Sequence, residues 1–510
     1  MEDSKEAQSK DIVLMEDVQD TAPEKLTVAQ IYDSYTPEFA AETERKLLRK
    51  VDLRLLPLVV TMYIFNYLDR NSITQARLYG LQKDLNIKGA TYNTAISIFS
   101  AGYIIMQLPS TLMMAKLRPS IFLPTCIIAW AILSGLTSAT QNAAGLLALR
   151  FCLGLIESPF FPSAIYLLSC WYTKRELGFR MSLLVSGLLL SNSFAGLISA
   201  GILGGMDGVG HIATWKWLFI LEGSATVILG IIGYLVLPDY PATTKWLSEE
   251  EKVVAQARLT RSIGSDDVLT EETASVRRGV VWAVKDYRVW LFACLQMATT
   301  ADISYSHFFP TLIKDLGFKS STETLLLTSP PYMFAFFFTV GICYSADRKQ
   351  RRSAFAITSI CIAICSCVVL IATNEQDQWV RYAFSFPLTA GTFAVYSTTY
   401  TWLSSTIPQP AIKRAAAIGI ANTFANLASL YANYFWLDQY GPTYRVSWVI
   451  LLAFQVLGLA SMVALRLSLK RSNHKFEKLS QEVSPSDTNA LARLDIDERR
   501  AVVGGFRYVS

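Results

Sequence analysis

The chain has 510 residues, of which 52% are apolar, 12% are aromatic and 17% are charged, and its formal net charge is +5. Soluble proteins average about 25% charged residues, so this composition favours a protein that is solvated mostly by lipid. The small positive charge is not gathered into a long basic face, which argues against a nucleic-acid partner. The eight cysteines lack the spacing of a metal site, and neither a metal nor another cofactor is expected.

Hydrophilic segments begin, divide and end the chain. Residues 1–50 are polar and acidic without the apolar core of a signal peptide, so we predict a disordered cytosolic tail. Residues 470–510 are similar in character and are predicted to be a C-terminal cytosolic tail. The polar stretch 238–287 is predicted to be a cytosolic linker with a short amphipathic helix. It separates an N-terminal bundle at 51–237 from a C-terminal bundle at 288–469.

Twelve apolar runs are long enough to form membrane helices. A hydrocarbon core about 30 Å thick needs about 20 apolar residues in a helix, and helices satisfy their own backbone polar groups in lipid. The runs are 54–76, 93–115, 121–140, 144–171, 178–204, 215–237, 288–312, 325–345, 354–373, 380–405, 414–437 and 445–467. The sequence therefore predicts an all-α membrane protein with twelve transmembrane helices in two six-helix bundles.

The short loops after the even-numbered runs are the more basic ones. They carry Lys116, Arg118, Lys174, Arg175, Arg180, Arg348, Lys349, Arg351, Arg352, Lys413 and Arg414. Because cytosolic loops are enriched in lysine and arginine, we expect both termini in the cytosol and a multi-pass protein of the plasma membrane.

The two bundles share a weak internal repeat. Arg150 and Arg381 each lie twenty-one residues before a tryptophan near the end of the same run, the fourth and the tenth. Asn192 and Asn426 each lie twelve residues after an arginine of the following basic loop. Two parallel repeats are the simplest explanation, and transporters built from repeats bind their substrates near the membrane midplane, between the halves.

Four charged residues stand out inside apolar runs of the first bundle: Asp69, Arg70, Arg150 and Glu157. Charges in membrane helices are costly and mark pathways or ion pairs. Since the guanidinium fork suits a carboxylate, one hypothesis is that Arg70 and Arg150 bind a substrate anion while Asp69 and Glu157 carry protons. The alternative is two salt bridges that only fix helix packing.

Other polar side chains in the runs have two interpretations each. Glu222 and His307 could take up protons, or they could form a helix–helix hydrogen bond and a packing contact, respectively. The neutral candidates for contacting a substrate are Tyr332, Tyr396, Asn422 and Asn426. Aromatic packing and hydrogen bonds between helices are the alternatives for these four.

An acidic residue followed by a basic run occurs after the eighth apolar run. Asp347, Arg348 and Arg352 could form a gating latch by pairing charges between helix ends at the cytosolic face. An ordinary basic cytosolic loop is the alternative.

Several short segments match a known family. They are Tyr67–Asn71, Gly80–Leu85, Tyr92–Ala95, Ala148–Gly154 with Glu157, Phe160–Pro162, Trp217–Gly223, Pro330–Tyr332 and Ser345–Arg348. Through them, residues 45–470 resemble the major facilitator superfamily. Within it they resemble the anion:cation symporter group, which includes fungal allantoate, nicotinate and pantothenate permeases.

The resemblance implies two bundles that rock between inward-open and outward-open states, usually driven by protons. Members commonly have an acid–arginine pair in the first span and an arginine and a glutamate in the fourth, which favours the transport hypothesis for the four charges. It also favours the latch. Two features depart from the family pattern. The superfamily has a loop with an acidic residue and basic residues after the second span, but residues 115–120 of this chain contain no acidic residue. The seventh run contains Asp302, where members often have small residues and asparagine.

The predicted function is proton-coupled symport of a small organic anion, such as a carboxylate, a vitamin-like compound or a nitrogen source. The protein is expected to work as a monomer in the lipid bilayer. One alternative is an exporter of a fungal secondary metabolite. An alternative of another class is a nutrient sensor that keeps the fold without transporting. An enzyme is not expected, because the sequence has no nucleophile–base set, phosphate-binding loop or metal site.

Overall fold

The computed structural model describes residues 28–114, 117–263, 276–318, 320–349, 351–374, 376–407, 411–483, 498 and 502. Within these ranges the chain forms helices joined by short loops, and no β-strand occurs there. The membrane helices of the first half are Pro37–Ala76, Thr91–Met114, Pro119–Leu136, Ala143–Glu157, Phe160–Trp171, Lys174–Gly205 and Thr214–Val236. Those of the second half are Tyr287–Ile303, Phe309–Lys314, Ser321–Lys349, Arg352–Ala372, Gln378–Thr406, Ala411–Tyr431 and Arg445–Glu482.

The fourth and seventh spans are each built from two helices. Taking each pair as one broken span gives twelve spans in the described part of the chain. Eight helices there are long and apolar enough to cross a membrane by length and composition, namely the first, third, fourth, fifth, sixth, eighth, ninth and twelfth spans. Helices also occupy the other four predicted runs. The prediction of an all-α protein with two six-helix bundles is confirmed.

Proline explains where the two broken spans are interrupted. Proline has no backbone N–H and cannot continue the hydrogen-bond ladder of a helix. Pro159, two residues after Glu157, is the N-cap of the second helix of the fourth span, and Pro310 lies in the first turn of the helix after the break at Ser304–His307. Both breaks therefore place a titratable side chain, Glu157 or His307, at a helix end.

The predicted tails are shorter than expected. Disorder throughout residues 1–50 is wrong, because Val28–Asp33 and the residues from Pro37 onward are helical. Leu47, Val51 and Leu55 recur every four residues and are all buried, so the first membrane helix has an apolar stripe that begins inside the predicted tail. At the other end, the last helix continues to Glu482, thirteen residues into the predicted tail that starts at 470.

The linker between the halves contains the expected helix, Glu249–Ile263, and a second helix, Val276–Lys285. Charged side chains attach the first of these to the rest of the protein. Lys50 Nζ lies 2.5 Å from Glu251 Oε1, and Arg258 pairs with Glu176 at the start of the fifth span. The linker helix therefore lies at the end of the bundle where the first span begins, and we call this the linker end.

The opposite end, which contains the loops after the first, seventh and eleventh spans, joins the two halves; we call it the far end. Arg77 Nη2 donates to Asp438 Oδ1 at 2.5 Å, and the hydroxyl groups of Tyr79 and Thr322 lie 2.8 Å apart. Asn93 Nδ2 donates to the backbone carbonyl of Asn433 at 2.6 Å. These bonds connect loops and helix ends of both halves, so the far end is closed by side-chain contacts.

The fifth and eighth spans bring the halves closest together. A Cβ atom at Gly196 would lie only 2.6 Å from the carbonyl oxygen of Leu325, so only glycine permits this approach. One turn away, the hydroxyl groups of Ser193 and Ser329 lie 2.7 Å apart. The fifth span also contributes Leu188 and Asn192 to the lining of the cavity described next.

Candidate functional site

A central cavity lies between the two halves and has two lobes of about 110 and 120 Å³. Seven residues line both lobes: Tyr67, Arg70, His307, Tyr396, Asn422, Asn426 and Ser429. The first, fourth and seventh spans place Arg70, Arg150, Glu157 and His307 in the cavity wall. The fourth and seventh spans are both broken beside the cavity. Space of this size between the halves admits several waters or one small organic molecule.

Arg70 and Glu157 form an ion pair in the wall of the first lobe. Arg70 Nε donates to Glu157 Oε1 at 2.9 Å, and Nη2 makes a second bond to the same oxygen. The guanidinium carbon lies 4.7 Å from the ring centres of both Tyr67 and Phe99 and 5.3 Å from that of Tyr103. Three aromatic rings and one carboxylate thus hold the positive charge at the cavity surface.

Arg150 lies beside this pair and keeps part of its hydrogen-bonding capacity. Its Nη1 donates to the backbone carbonyl of Arg70 at 3.3 Å. The residue is only 4% exposed, and its Nη2 atom is buried without a hydrogen-bond partner. Since a buried donor is normally satisfied, this nitrogen is suited to an acceptor that enters the cavity.

Two glycines allow the second and fourth spans to approach closely enough to place these side chains. A Cβ atom at Gly154 would lie 3.0 Å from the backbone nitrogen of Tyr103, and one at Gly102 would lie 3.2 Å from that of Leu155. Gly154 stands between Arg150 and Glu157 on one helix. The close contact therefore holds this part of the fourth span against the second span, whose Phe99 and Tyr103 line the same lobe.

Asp69 does not face the cavity, although it precedes Arg70 in the chain. Its carboxylate accepts hydrogen bonds from Thr226 Oγ1 at 3.0 Å and from Trp130 Nε1 at 3.2 Å. It is 1% exposed and lies among the first, third and sixth spans. Of the four charged residues that stand out in the sequence of the first half, three thus lie in the cavity wall and Asp69 lies in the interior of that half.

Glu222 lies in the same interior as Asp69. Its carboxylate accepts a hydrogen bond from Ser72 Oγ, three residues after Asp69 on the first span, and the residue is 5% exposed. Glu222 therefore forms the hydrogen bond to a neighbouring helix that was one of its two predicted roles. Glu222 does not line either lobe.

The second half lines the cavity with neutral hydrogen-bonding groups. Tyr400 Oη donates to Asn422 Oδ1 at 3.2 Å, and Asn426 Nδ2 donates to Gln107 Oε1 of the first half at 2.9 Å. Tyr396 and His307 complete this wall. Five of the six predicted substrate-contacting residues therefore line the cavity.

Tyr332 is the exception among those six. It is 3% exposed and packs edge-on against Phe309 and Phe393, with ring centres 5.2 and 6.0 Å away, and it lines neither lobe. The packing alternative describes it better, because the rotation of the eighth span points this side chain into the interior of the second half.

The predicted latch is only partly visible. The side chain of Asp347 lies outside the described residues. Arg348 is exposed, and Arg352 Nη1 donates to the backbone carbonyl of Thr401 at 2.9 Å, which connects the ninth span to the tenth. The latch remains a prediction.

The internal repeat is reflected in one pair of residues and not in the other. Asn192 and Asn426 both line the cavity, from the fifth and eleventh spans. Arg381, however, donates from Nη2 to the carbonyl of Thr443 at 3.0 Å near the far end, whereas Arg150 lies in the cavity wall. Equal spacing to a tryptophan therefore does not make the two arginines equivalent in place.

Sequence reasoning missed the contribution of the second span to the site. Phe99, Ser100, Tyr103 and Gln107 all line the first lobe at helical spacing. A polar stripe of Ser100, Tyr103 and Gln107, three and four residues apart inside an apolar run, is the signal that could have identified this face.

The family model of the major facilitator superfamily matches residues 59–433, which is most of the chain. This protein belongs to the major facilitator superfamily. The MFS-type transporter cnsO of Penicillium expansum is 30% identical over 450 residues, covering 86% of this chain and 85% of the relative. The major facilitator-type transporter hxnP of Emericella nidulans is 29% identical over 411 residues, covering 79% and 81%.

Solved structures of this superfamily have the same fold. A bacterial homologue of the human lysosomal transporter Spinster, in an inward-facing and occupied conformation, matches with a TM-score of 0.63 at 13% identity, covering 81% of this chain and 96% of that one. The unoccupied inward-facing form of that homologue matches with a TM-score of 0.64 at 14% identity. This chain is thus a multi-pass membrane transporter of the major facilitator type.

Proposed function

We propose that this transporter carries a small organic anion together with protons by alternating access, in the manner of the anion:cation symporter group. The observation that carries the proposal is Arg150, a buried guanidinium in the cavity wall whose Nη2 has no partner. An unsatisfied charged donor at membrane depth is costly. An anion in the cavity supplies the missing acceptor.

The neighbouring groups favour a carboxylate as that anion. Arg70 and Arg150 are connected through the Arg70 backbone carbonyl, so two planar guanidinium groups line one small lobe. Guanidinium groups bind carboxylates through paired hydrogen bonds. While Glu157 is ionised, the three charged residues of this lobe sum to +1, and one monovalent anion that binds together with one proton on Glu157 leaves that sum unchanged.

The Arg70–Glu157 pair offers a way to couple the anion to protons. While Glu157 is ionised, it occupies the Nε and Nη2 donors of Arg70. A proton on Glu157 removes the charge that holds this pair together and frees the fork of Arg70 for the substrate. Anion and proton then enter together, because protonation of Glu157 frees Arg70 for the anion, and an anion bound to Arg70 favours protonated Glu157.

Asp69 and Glu222 are proposed as further proton sites behind the cavity, and His307 as one at its surface. Asp69 is adjacent to Arg70 on the first span, so movement of that helix against the third and sixth spans changes the surroundings of both residues. Hydrogen bonds from Thr226, Trp130 and Ser72 now satisfy the carboxylates.

The closed far end gives the proposal a conformational state. If the termini are cytosolic, as the basic loops favour, the far end is extracellular and this conformation is closed to the outside. The opposite state then requires Arg77 to leave Asp438 and Asn93 to leave the carbonyl of Asn433. Import at the plasma membrane by a monomer is the arrangement that we propose.

Uptake by purified protein in proteoliposomes tests this function. A panel of radiolabelled monocarboxylates and dicarboxylates is offered with the lumen alkaline, and at least one monocarboxylate is expected to accumulate above its external concentration. Accumulation should vanish when the pH gradient is collapsed. Flux only outward would favour the metabolite exporter, and no flux of any panel member in either direction would favour the sensor.

A further inference from the structure

The first and seventh spans occupy corresponding positions in the two halves and face the cavity with corresponding residues. Aligning Tyr67–Asn71 with Thr300–Ser304 places Tyr67, Arg70 and Asn71 opposite Thr300, Ile303 and Ser304, and all six line the same lobe. In this alignment Asp69 corresponds to Asp302. Neither aspartate lines the cavity, and each points into the interior of its own half.

The surroundings of Asp302 are neutral. The residue is 5% exposed and accepts one hydrogen bond from Thr392 Oγ1 at 2.9 Å and one from Gln455 Nε2 at 2.8 Å. No described lysine, arginine or histidine forms an ion pair with it. Asp69 likewise accepts bonds only from neutral donors, on the third and sixth spans.

The charged groups on the helices that pack around Asp302 bond elsewhere. Arg288 and Lys413 pair with Asp286, Arg381 bonds to Thr443, and Arg445 bonds to Asn374. The titratable groups that interact electrostatically with Asp302 are Tyr305 and Cys367, which are neutral in their ordinary states. The eleventh span contacts the seventh at this level through alanines, Ala428 against Ala301.

The hydrogen-bond geometry suits both protonation states of Asp302. In the ionised state, Gln455 donates through Nε2 while its Oε1 atom is buried without a partner. Rotating the amide by half a turn presents Oε1 to the carboxyl, where it accepts from a protonated Asp302. The same two side chains can therefore satisfy the acid with and without its proton, which an arginine partner could not do.

We propose that Asp302 is a further proton-binding site, in the interior of the half whose described cavity wall carries no lysine, arginine or carboxylate, so that corresponding helices of both halves each carry a proton-binding aspartate. Its consequence for the proton-to-anion ratio rests on the proposed symport, whereas proton binding itself does not. A buried carboxylate that has only neutral hydrogen-bond donors is costly, and binding a proton removes its charge. Movement of the seventh span against the tenth and twelfth spans opens a route for that proton.

The test is pH-difference infrared spectroscopy of the purified full chain in lipid, without any substrate. The carbonyl band of a protonated carboxyl group should appear as the pH falls and should be diminished in Asp302→Asn, while Asp302→Glu retains a band. Asp207→Asn, which removes an exposed far-end carboxyl outside the cavity, should leave the buried-carboxyl bands unchanged. A difference spectrum of Asp302→Asn identical to that of the wild type overturns the proposal.

A second variant covers the case in which Asp302→Asn fails to fold. Thr392→Val keeps the carboxyl but removes one donor, so the midpoint of the titrating band should move; an unmoved midpoint also overturns the proposal. In proteoliposomes, Asp302→Asn should lower the number of protons carried per anion by one while anion exchange persists. If no anion is transported at all, the symport proposal fails, yet the infrared result still decides whether Asp302 binds a proton.

Discussion

The wall that the first half contributes to the cavity carries Arg70, Arg150 and Glu157, whereas the described wall of the second half carries no lysine, arginine or carboxylate. The second half instead presents His307, Tyr396 and three asparagines. The two halves share a fold, but the side chains that they contribute to the cavity wall differ in chemistry. We infer that the first half selects for charge and couples the bound anion to a proton at Glu157, and that the cavity wall of the second half selects among anions by hydrogen bonding and shape.

Replacing Arg150 should have the largest effect, because it removes the donor that has no other partner. Arg150→Gln is expected to lower anion affinity by roughly 100-fold, the size of a lost hydrogen bond between charged groups in a dry site. Equilibrium binding to the purified protein measures this loss. Arg150→Lys keeps the positive charge but loses the planar guanidinium group, so its anion affinity should lie between those of the wild type and Arg150→Gln.

The matched control is Arg445→Gln, which removes an exposed arginine that bonds to Asn374 at the far end. It should bind the anion as the wild type does. Wild-type affinity in Arg150→Gln would contradict the assignment of charge selection to the first half.

Neutralising Glu157 should separate transport from coupling. Glu157→Gln leaves Arg70 permanently free of its carboxylate, so the site no longer needs a proton to accept the anion. Exchange of labelled for unlabelled anion across the liposome membrane should persist, while accumulation driven by a pH gradient should fall, because the proton that Glu157 carries no longer moves with the anion. Wild-type accumulation at wild-type pH dependence would mean that Glu157 is not a coupling residue.

Changes in the second half should be milder and should alter preference. Asn422→Ala and Asn426→Ala each remove a neutral hydrogen-bonding group, which is expected to lower the affinity for the best anion by about two- to ten-fold. The ranking of anions in a competition panel should change, while the dependence on pH should not. An altered pH dependence with an unaltered ranking would reverse the roles that we assign to the two halves.

The smallest effect is expected at the far end, where the halves are joined by an ion pair that is open to water on one side. Asp438 is 57% exposed, so Arg77→Gln should shift the balance between conformations by only about two- to five-fold. Distance distributions between spin labels at the exposed positions Lys88 and Asp377 measure this shift towards wider separation. Lys83→Gln, in the same loop, is the control. An equal shift in Lys83→Gln would mean that the Arg77–Asp438 ion pair does not specifically stabilise the closed far end.

The sequence was sufficient to find the charged residues but not to orient them. Asp69 and Arg70 are neighbours, yet successive helical residues point about 100° apart, so only one of them can face the cavity. Which one does so is decided by Trp130 and Thr226 on other spans, which satisfy the carboxylate of Asp69. No pattern within the first span contains that information.

Two other differences between expectation and structure have the same origin. Tyr332 was a substrate candidate by residue type, but aromatic neighbours on the seventh and tenth spans bury it away from the cavity. Residues 37–50 are mostly polar and charged, yet Ala40 and Leu47, two turns apart on one helix face, are buried. In both cases the partners lie far away in the chain, and tertiary packing outweighs local composition.

Anion binding to the purified protein at two pH values, in the wild type and in Glu157→Gln, tests the central claim most directly. We predict that the wild type binds more tightly at the lower pH, where Glu157 is protonated and releases Arg70, and that Glu157→Gln binds tightly at both. Equal pH dependence in the two proteins would contradict the competition between substrate and Glu157 for one guanidinium.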